Sequence, residues 1–186
     1  SLIQNSSLFM NEFKTQYALK TLELADIPQL VEAFQKANWP KPASLFTRYI
    51  EEQHQEQRRV WLAYQGQHCL GYVTLKWVSQ YPPFAHQNIP EIMDLNVLPA
   101  YRRQGIGRAL LRVAEDAAKS QGNKVGIGVG LYGGPDGGYG PAQRLYIQAG
   151  YVPDGLGVTY AYQPIDPGTM VCLDDELVFW LTKELK

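Results

Sequence analysis

From residue 94 to residue 111 the chain reads Asp94-Leu-Asn-Val-Leu-Pro-Ala-Tyr-Arg-Arg-Gln-Gly-Ile-Gly-Arg-Ala-Leu-Leu. An apolar strand enters a turn with the spacing Arg102-x-x-Gly105-x-Gly107, and an amphipathic helix begins there at once. The first amides of a helix have no intrahelical partner, and the helix dipole puts partial positive charge at that end. Two glycines keep side chains out of the approach, and the neighbouring arginines add charge. Such a turn suits a phosphate or pyrophosphate group. Glycine costs roughly 1 kcal/mol relative to a good helix former, so a function that uses bare backbone is the simpler account of the pair.

Other candidate chemistry is weaker. Gly128-Val-Gly-Leu-Tyr-Gly133 fits the Gly-x-Gly-x-x-Gly spacing of dinucleotide-binding turns. That fingerprint works through a helix opening inside it, and the following Gly133-Gly-Pro-Asp-Gly-Gly forbids one, so the match is expected to be coincidental. Cys69 and Cys172 lie far apart with no histidine beside them, and His54, His68 and His86 have no ligand spacing. Neither a metal site nor a disulfide is expected, and the chain reads as cytoplasmic.

The elements that must position the turn follow from periodicity. The chain has 186 residues, 45% of them hydrophobic and 19% charged, which suits one well-cored domain. Its net charge of −1 argues against a general nucleic-acid or membrane-surface binder. No apolar run reaches the roughly 18 residues of a membrane helix, and no signal-peptide pattern is found. Residues 1–15 read as an arm of uncertain order, and residues 16–186 as a single domain.

Residues 17–24 alternate as a strand. Asp26-Ile-Pro-Gln29 resembles a capping box before a helix bearing Ile27, Leu30, Val31 and Phe34 on one face. After the break at Trp39-Pro-Lys-Pro42, a second helix spans about 44–57. Residues 60–64 and 69–77 read as a hairpin through Gly66, and 79–90 as a proline- and aromatic-rich loop. A strand over 91–97 precedes the turn, and the helix of about 105–121 ends at Gly122. A strand over 124–131, a flexible loop over 133–140 and a short helix over 141–149 come next. Strands over 158–162 and 177–185 complete an α/β domain with a mixed sheet.

Strand, Arg-x-x-Gly-x-Gly turn and helix, then a strand and a short helix containing Leu145-Tyr146 before Gly150-Tyr151, resemble the GNAT N-acetyltransferase superfamily. The resemblance spans about 17–186 and is strongest over 91–151. It implies an α+β fold with a mostly antiparallel central sheet flanked by helices. It also implies transfer of an acetyl group from acetyl-coenzyme A to a primary amine, by direct attack in a ternary complex. The family's pyrophosphate loop then falls on Arg102, Arg103, Gln104, Gly105, Ile106, Gly107 and Arg108.

The same resemblance assigns the remaining roles. Tyr146 matches the tyrosine that protonates the departing thiolate, and a phenol with an ordinary pKa of about 10 keeps its proton at neutral pH. The residues alone also allow it to be core, because Ala142, Leu145, Tyr146 and Ala149 form one helical stripe. Glu91 matches a catalytic glutamate of the histone acetyltransferase branch, with Asp94 as the other candidate base and a water chain as a third route. The backbone N–H of Leu95 is the expected oxyanion donor, at a bulge that splays the sheet, and Val97 offers backbone bonds to the pantetheine arm. The family often has asparagine where Tyr139 stands, three residues before the retained Ala142; Tyr139 or the glycine-rich loop is expected to replace that cofactor contact.

The acceptor is expected to be a small-molecule or peptide amine. Trp39, Phe46, Tyr49, Tyr81, Phe84, Tyr160 and Tyr162 are available to line its pocket. Asp174, Asp175 and Glu176 form an acidic run that reads either as an attractor of amines or as a solvated edge. Dimers are common in the family, so a homodimer is possible. Two alternatives stand beside the enzyme: a non-catalytic module of the same fold that binds a coenzyme A derivative, and a nucleotide-cofactor oxidoreductase built on the Gly128 motif.

Overall fold

The computed structural model describes residues 16–135 and 137–186, so the expected N-terminal arm lies outside the described residues. In chain order the elements are β1 (Ala18–Thr21), α1 (Ile27–Lys36), α2 (Ala43–His54), β2 (Arg58–Gln65), β3 (His68–Lys76), α3 (Pro82–His86), β4 (Glu91–Val97), α4 (Ile106–Ala118), β5 (Lys124–Gly130), α5 (Gly140–Gln148), β6 (Val152–Tyr160), β7 (Gln163–Pro164) and β8 (Leu177–Glu184). Short 3-10 turns at Leu24–Asp26 and Pro99–Tyr101 precede α1 and α4. The strands form one sheet in the order β1-β2-β3-β4-β5-β8-β6-β7. Only β4 and β5 run parallel; every other pair is antiparallel. The fold expected from the resemblance is the one observed.

Helix periodicity decides which layer each helix covers. Ile27, Leu30 and Phe34 of α1 are buried with Phe46, Tyr49 and Ile50 of α2 against Val60, Leu62 and Tyr72 on one face of the sheet. Ile106, Leu110, Leu111, Ala114 and Ala118 of α4 are buried with Tyr146 of α5 against Val73, Ile92, Val125 and Ile127 on the other. A smaller cluster of Tyr81, Phe84, Ile89 and Trp180 lies beneath α3. Among the described residues, no helix is long and apolar enough to cross a membrane.

Several local expectations are corrected. The segment 79–90 is not all loop, because Pro82–His86 forms a helical turn that drives Phe84 into the core. Asp26 does not cap α1 with its side chain. Its carboxylate instead accepts from the Glu23 amide at 2.8 Å and from Lys20 Nζ at 2.9 Å, so the capping box sits one turn earlier, around Leu24–Asp26. β6 begins at Val152, six residues before the expected start. Pro153, Gly155 and Gly157 hide it, because they interrupt the alternation where the strand's pairing with β8 skips from Pro153 to Val158.

The Gly128 motif has a packing explanation. Gly126, Gly128 and Gly130 alternate along β5 and so share a face. A Cβ on Gly126 would enter the Phe84 ring, and one on Gly130 would enter the Tyr139 ring. One on Gly128 would stand 2.8 Å from both Trp180 and Val178. Aromatic rings lie flat on bare backbone, which is why alternate positions of β5 are glycine. Gly126→Ala should therefore lose about 1–3 kcal/mol of stability by overpacking. Urea unfolding tests this, with Gly122→Ala, whose Cβ would enter open space, unfolding within about 0.5 kcal/mol of the parent.

Candidate active site

A bulge in β4 creates the site. Tyr72 pairs with Asn96 and Thr74 with Met93, so Asp94 and Leu95 together oppose Val73 alone. Asp94 absorbs the extra residue at φ +54°, in the left-handed region that non-glycine residues rarely occupy. On its other edge β4 pairs with β5 only at Glu91–Gly126 and Ile92–Ile127. Beyond these two pairs the strands part. The Leu98 amide donates to the Leu70 carbonyl at 2.9 Å, so strand alternation turns the backbone of Leu95 and Val97 away from β3 and into the gap. The expected opening is present, and Leu95 and Val97 face it.

The turn after β4 lies beside this gap. Arg102 Nε donates to the Val97 carbonyl at 3.0 Å, which ties the turn to the strand end. Arg103 has φ +63°, and Gly105, immediately before α4, has φ +82°. The first backbone bond of the helix runs from the Ala109 amide to the Gly105 carbonyl at 3.0 Å. The amides of Ile106, Gly107 and Arg108 precede it and are left for a ligand. The Ile106 side chain is buried and pins the turn to the core, while Arg102, Arg103 and Gln104 are exposed and Arg108 is half-buried. A Cβ on Gly107 would meet Leu145 at 3.2 Å, so α4 and α5 approach closely here. Open space around Gly105, free amides and flanking arginines fit a pyrophosphate.

The two carboxylates of β4 have different surroundings. Glu91 is 4% exposed and accepts from Ser79 Oγ at 2.5 Å. Burial pushes its carboxyl up to about 7, with Asp94 adding to the rise and Ser79, Lys76 and Arg58 opposing it. The Asp94 side chain is 41% exposed. Tyr49 donates to Asp94 Oδ2 at 2.5 Å, and Arg58 Nη1 stands 4.0 Å from the same oxygen. Arg58, itself 4% exposed, is held by Glu52 and donates to Thr74 Oγ1 at 2.7 Å. Arg58 and Tyr49 stand against Asp94, a placement that sequence reading missed. A lone arginine at the start of a strand gives no signal, and Tyr49 was expected only as a wall.

Tyr146 of α5 is 5% exposed, with its ring 6.1 Å from that of Tyr151. Burial, and then the charge of Asp94, raise its hydroxyl above the usual phenol value, so it holds its proton. The ring is core, as its place on the helical stripe allows. Ala142 packs on the same core. Tyr139 lies against Gly130 and donates to Asp175 Oδ1 at 2.7 Å, beside Tyr132, which donates to the same atom at 2.6 Å.

The other acceptor candidates divide. Phe46, Tyr81 and Phe84 are fully buried core, Tyr81 stacking on Trp180 at 4.0 Å. Trp39 is half-buried beside Phe34 and carries two cations, Lys41 Nζ at 4.9 Å and the Arg102 guanidinium at 5.8 Å. Tyr162 is half-buried 6.0 Å from Trp180. Tyr160 donates to Asp174 at 2.8 Å, which holds that half-buried carboxyl below its ordinary range. Asp174 and Asp175 of the acidic run are thus bound by tyrosines, while Glu176 is exposed. Among the described residues no group of His, Cys, Asp and Glu could hold a metal ion.

A strand splayed from its parallel neighbour thus lies beside a glycine-marked helix N-terminus. The acetyltransferase (GNAT) family profile matches residues 24–134, and the chain belongs to that family, whose cosubstrate is acetyl-CoA. A search of curated proteins by sequence finds no match. Among solved structures, an N-acetyltransferase from Staphylococcus aureus Mu50 superposes with a TM-score of 0.65 at 15% identity, covering 92% of this chain and 99% of its own. A putative acetyltransferase from Salmonella typhimurium, solved with acetyl-CoA, gives 0.65 at 15% identity, over 91% of this chain and 94% of its own. The ribosomal-protein-S18-alanine N-acetyltransferase of Escherichia coli gives 0.61 at 19% identity, over 91% and 94%.

Glu91 also sets a pH dependence of folding. Its folded value of about 7 lies above the roughly 4.3 of an unfolded glutamate, so the folded chain holds the proton more tightly. The stabilisation is complete below the unfolded value and is lost as pH rises to about 7. Urea melts from pH 4.5 to 7.5 should show the parent losing roughly 1–3 kcal/mol relative to Glu91→Gln.

Proposed function

We propose that the chain is an acetyl-CoA-dependent N-acetyltransferase in which a primary amine attacks the thioester directly within a ternary complex. The observation that carries this reading is the parting of β4 and β5 beside the free amides of α4. Acetyl-CoA lies in the gap. Its pyrophosphate rests on the amides of Gly105 to Arg108, with Arg103 adding charge. Its pantetheine arm follows the exposed backbone of Val97, and the Leu95 amide donates to the oxyanion formed on attack.

The acceptor arrives from the α1–α2 face, where Asp94 and Glu91 lie. Asp94, open to solvent and steadied by Tyr49, draws in the ammonium. Glu91, with a carboxyl near 7, takes the proton that the amine must lose, through a water. The different environments of the two carboxylates support this division of labour. Tyr146 donates its proton to the departing thiolate, a role for which a phenol with a raised pKa is correctly charged at neutral pH. Tyr139 and Ala142 border the coenzyme at the start of α5.

Calorimetric titration with acetyl-CoA, with NAD as control, tests the reading at its root. Micromolar binding of the coenzyme alone is expected; protection by NAD instead would overturn it. In steady-state assays Tyr146→Phe should lower kcat by about 10²-fold with coenzyme affinity changed little. Gly105→Val, forced into a left-handed backbone position, should raise the coenzyme Kd more than about tenfold. The acidic limb of kcat/KM should have its midpoint near pH 7 and disappear in Glu91→Gln.

A further inference from the structure

Trp39 marks a second charged feature on the acceptor side. Its ring carries Lys41 Nζ at 4.9 Å and the Arg102 guanidinium at 5.8 Å. Two cations on one ring repel each other, and an aromatic face offsets that only in part. Among the described residues neither cation has a carboxylate oxygen within 4.0 Å, whereas Arg58 on the same side of the sheet is paired with Glu52. Arg102 is fixed by its Nε bond to Val97, and the rest of its guanidinium fork remains available.

The position of the pair is set by a run of packed rings. Trp39 packs on Phe34 at 5.3 Å, Phe34 on Tyr72 at 5.4 Å, and Tyr72 on Tyr49 at 6.4 Å. Tyr49 ends the run by donating to Asp94, and Tyr72 accepts from Asn96 Nδ2 at 2.9 Å. A cationic end at Trp39 and an anionic end at Asp94 are therefore joined by a run of buried rings beneath the surface. Lys41 is half-buried, feels the charges of Asp94 and Asp175, and its ammonium is pushed below its ordinary pKa by burial. Asp175 is already engaged by the hydroxyls of Tyr132 and Tyr139, so Lys41 retains capacity for another anion.

We infer that the acceptor is a zwitterion, an amine that also bears a carboxylate, with its ammonium at Asp94 and its carboxylate between Lys41 and Arg102. This rests on the acetyltransferase reading above and adds the substrate class. A polyamine fits poorly, because its second cation would meet Lys41 and Arg102. A free amino acid, or a peptide whose carboxylate lies close to its amine, meets opposite charge at both ends.

Matched acceptors decide it. L-phenylalanine, L-methionine and L-lysine are assayed with acetyl-CoA beside their carboxamides, their decarboxylated amines and spermidine. At least one free acid should exceed its own carboxamide and amine by about tenfold or more in kcat/KM. In Lys41→Met that ratio should collapse toward one through the acceptor KM, while Lys41→Arg restores most of it. A preference for spermidine, or equal rates for acid and carboxamide, would overturn the proposal. So would a Lys41→Met variant whose main defect is in the acetyl-CoA Kd, which would assign the cations to the coenzyme. Acetyl-CoA binding without turnover of any free acid overturns the substrate class and leaves the coenzyme reading intact. Absence of acetyl-CoA binding removes both. A thermal melt of each variant separates loss of contact from loss of fold.

Discussion

The two-residue parallel contact between β4 and β5 is the constraint on which the site depends. A longer pairing would satisfy the outer edge of β4 with backbone from β5 and leave nothing for a ligand. The extra residue at Asp94 sharpens the bend of β4 immediately after the paired residues. The amides of Leu95 and Val97 are thereby released from the ladder, where unpaired polar groups are costly unless a partner comes, while the Val97 carbonyl is taken by Arg102. The helix amides after Gly105 pose the same demand a few residues later. A single extended ligand with an anionic end and amide-like middle answers both.

Charge is distributed around that opening with a clear asymmetry. On the α1–α2 side, a buried arginine is held by Glu52 and Thr74 and faces both carboxylates of β4. Arg58 moderates the repulsion between Glu91 and Asp94, and the burial of Glu91 keeps its carboxyl close to neutrality. On the α4–α5 side, Lys183 of β8 donates twice to Glu115 of α4, at 2.8 and 3.1 Å, and this pair ties α4 to the sheet. The first network adjusts protonation; the second fixes helix to sheet.

Much of this was legible in the residues, for identifiable reasons. Helices α1, α2 and α4 have apolar stripes of regular period, and the turn at Arg102 to Gly107 has chemistry that few other arrangements explain. The missed elements lack periodicity. α3 is a turn and a half of proline and aromatic residues, and β6 starts among Pro153, Gly155 and Gly157. The site was only half legible. Glu91 and Asp94 are close in sequence to the turn, but their different burial depends on Ser79, Tyr49 and Arg58 arriving from elsewhere in the chain. The glycines of β5 were read as a coincidental nucleotide motif, and their real cause, three rings resting on one strand face, is a tertiary fact invisible at the level of spacing.

The tyrosines bound to the acidic run have a mechanical meaning. Tyr132 and Tyr139 fasten the β5–α5 connection to Asp175, Tyr160 fastens β6 to Asp174, and Gln143 of α5 donates to the Gly130 carbonyl at 2.9 Å. The stretch that leads into α5 is therefore sewn to β5, β6 and the approach to β8, whereas the amide turn of α4 grows out of β4. The sheet opens like two leaves of a book beyond a spine of two residue pairs, with α4 and α5 packed together across the opening and Tyr146 and the turn on either side of it. Because α4 packs on α5 through Gly107 and Leu145, the distance between the phenol and the anion cradle is set by that packing, and the span of the cleft is itself a gauge of the ligand that fits it.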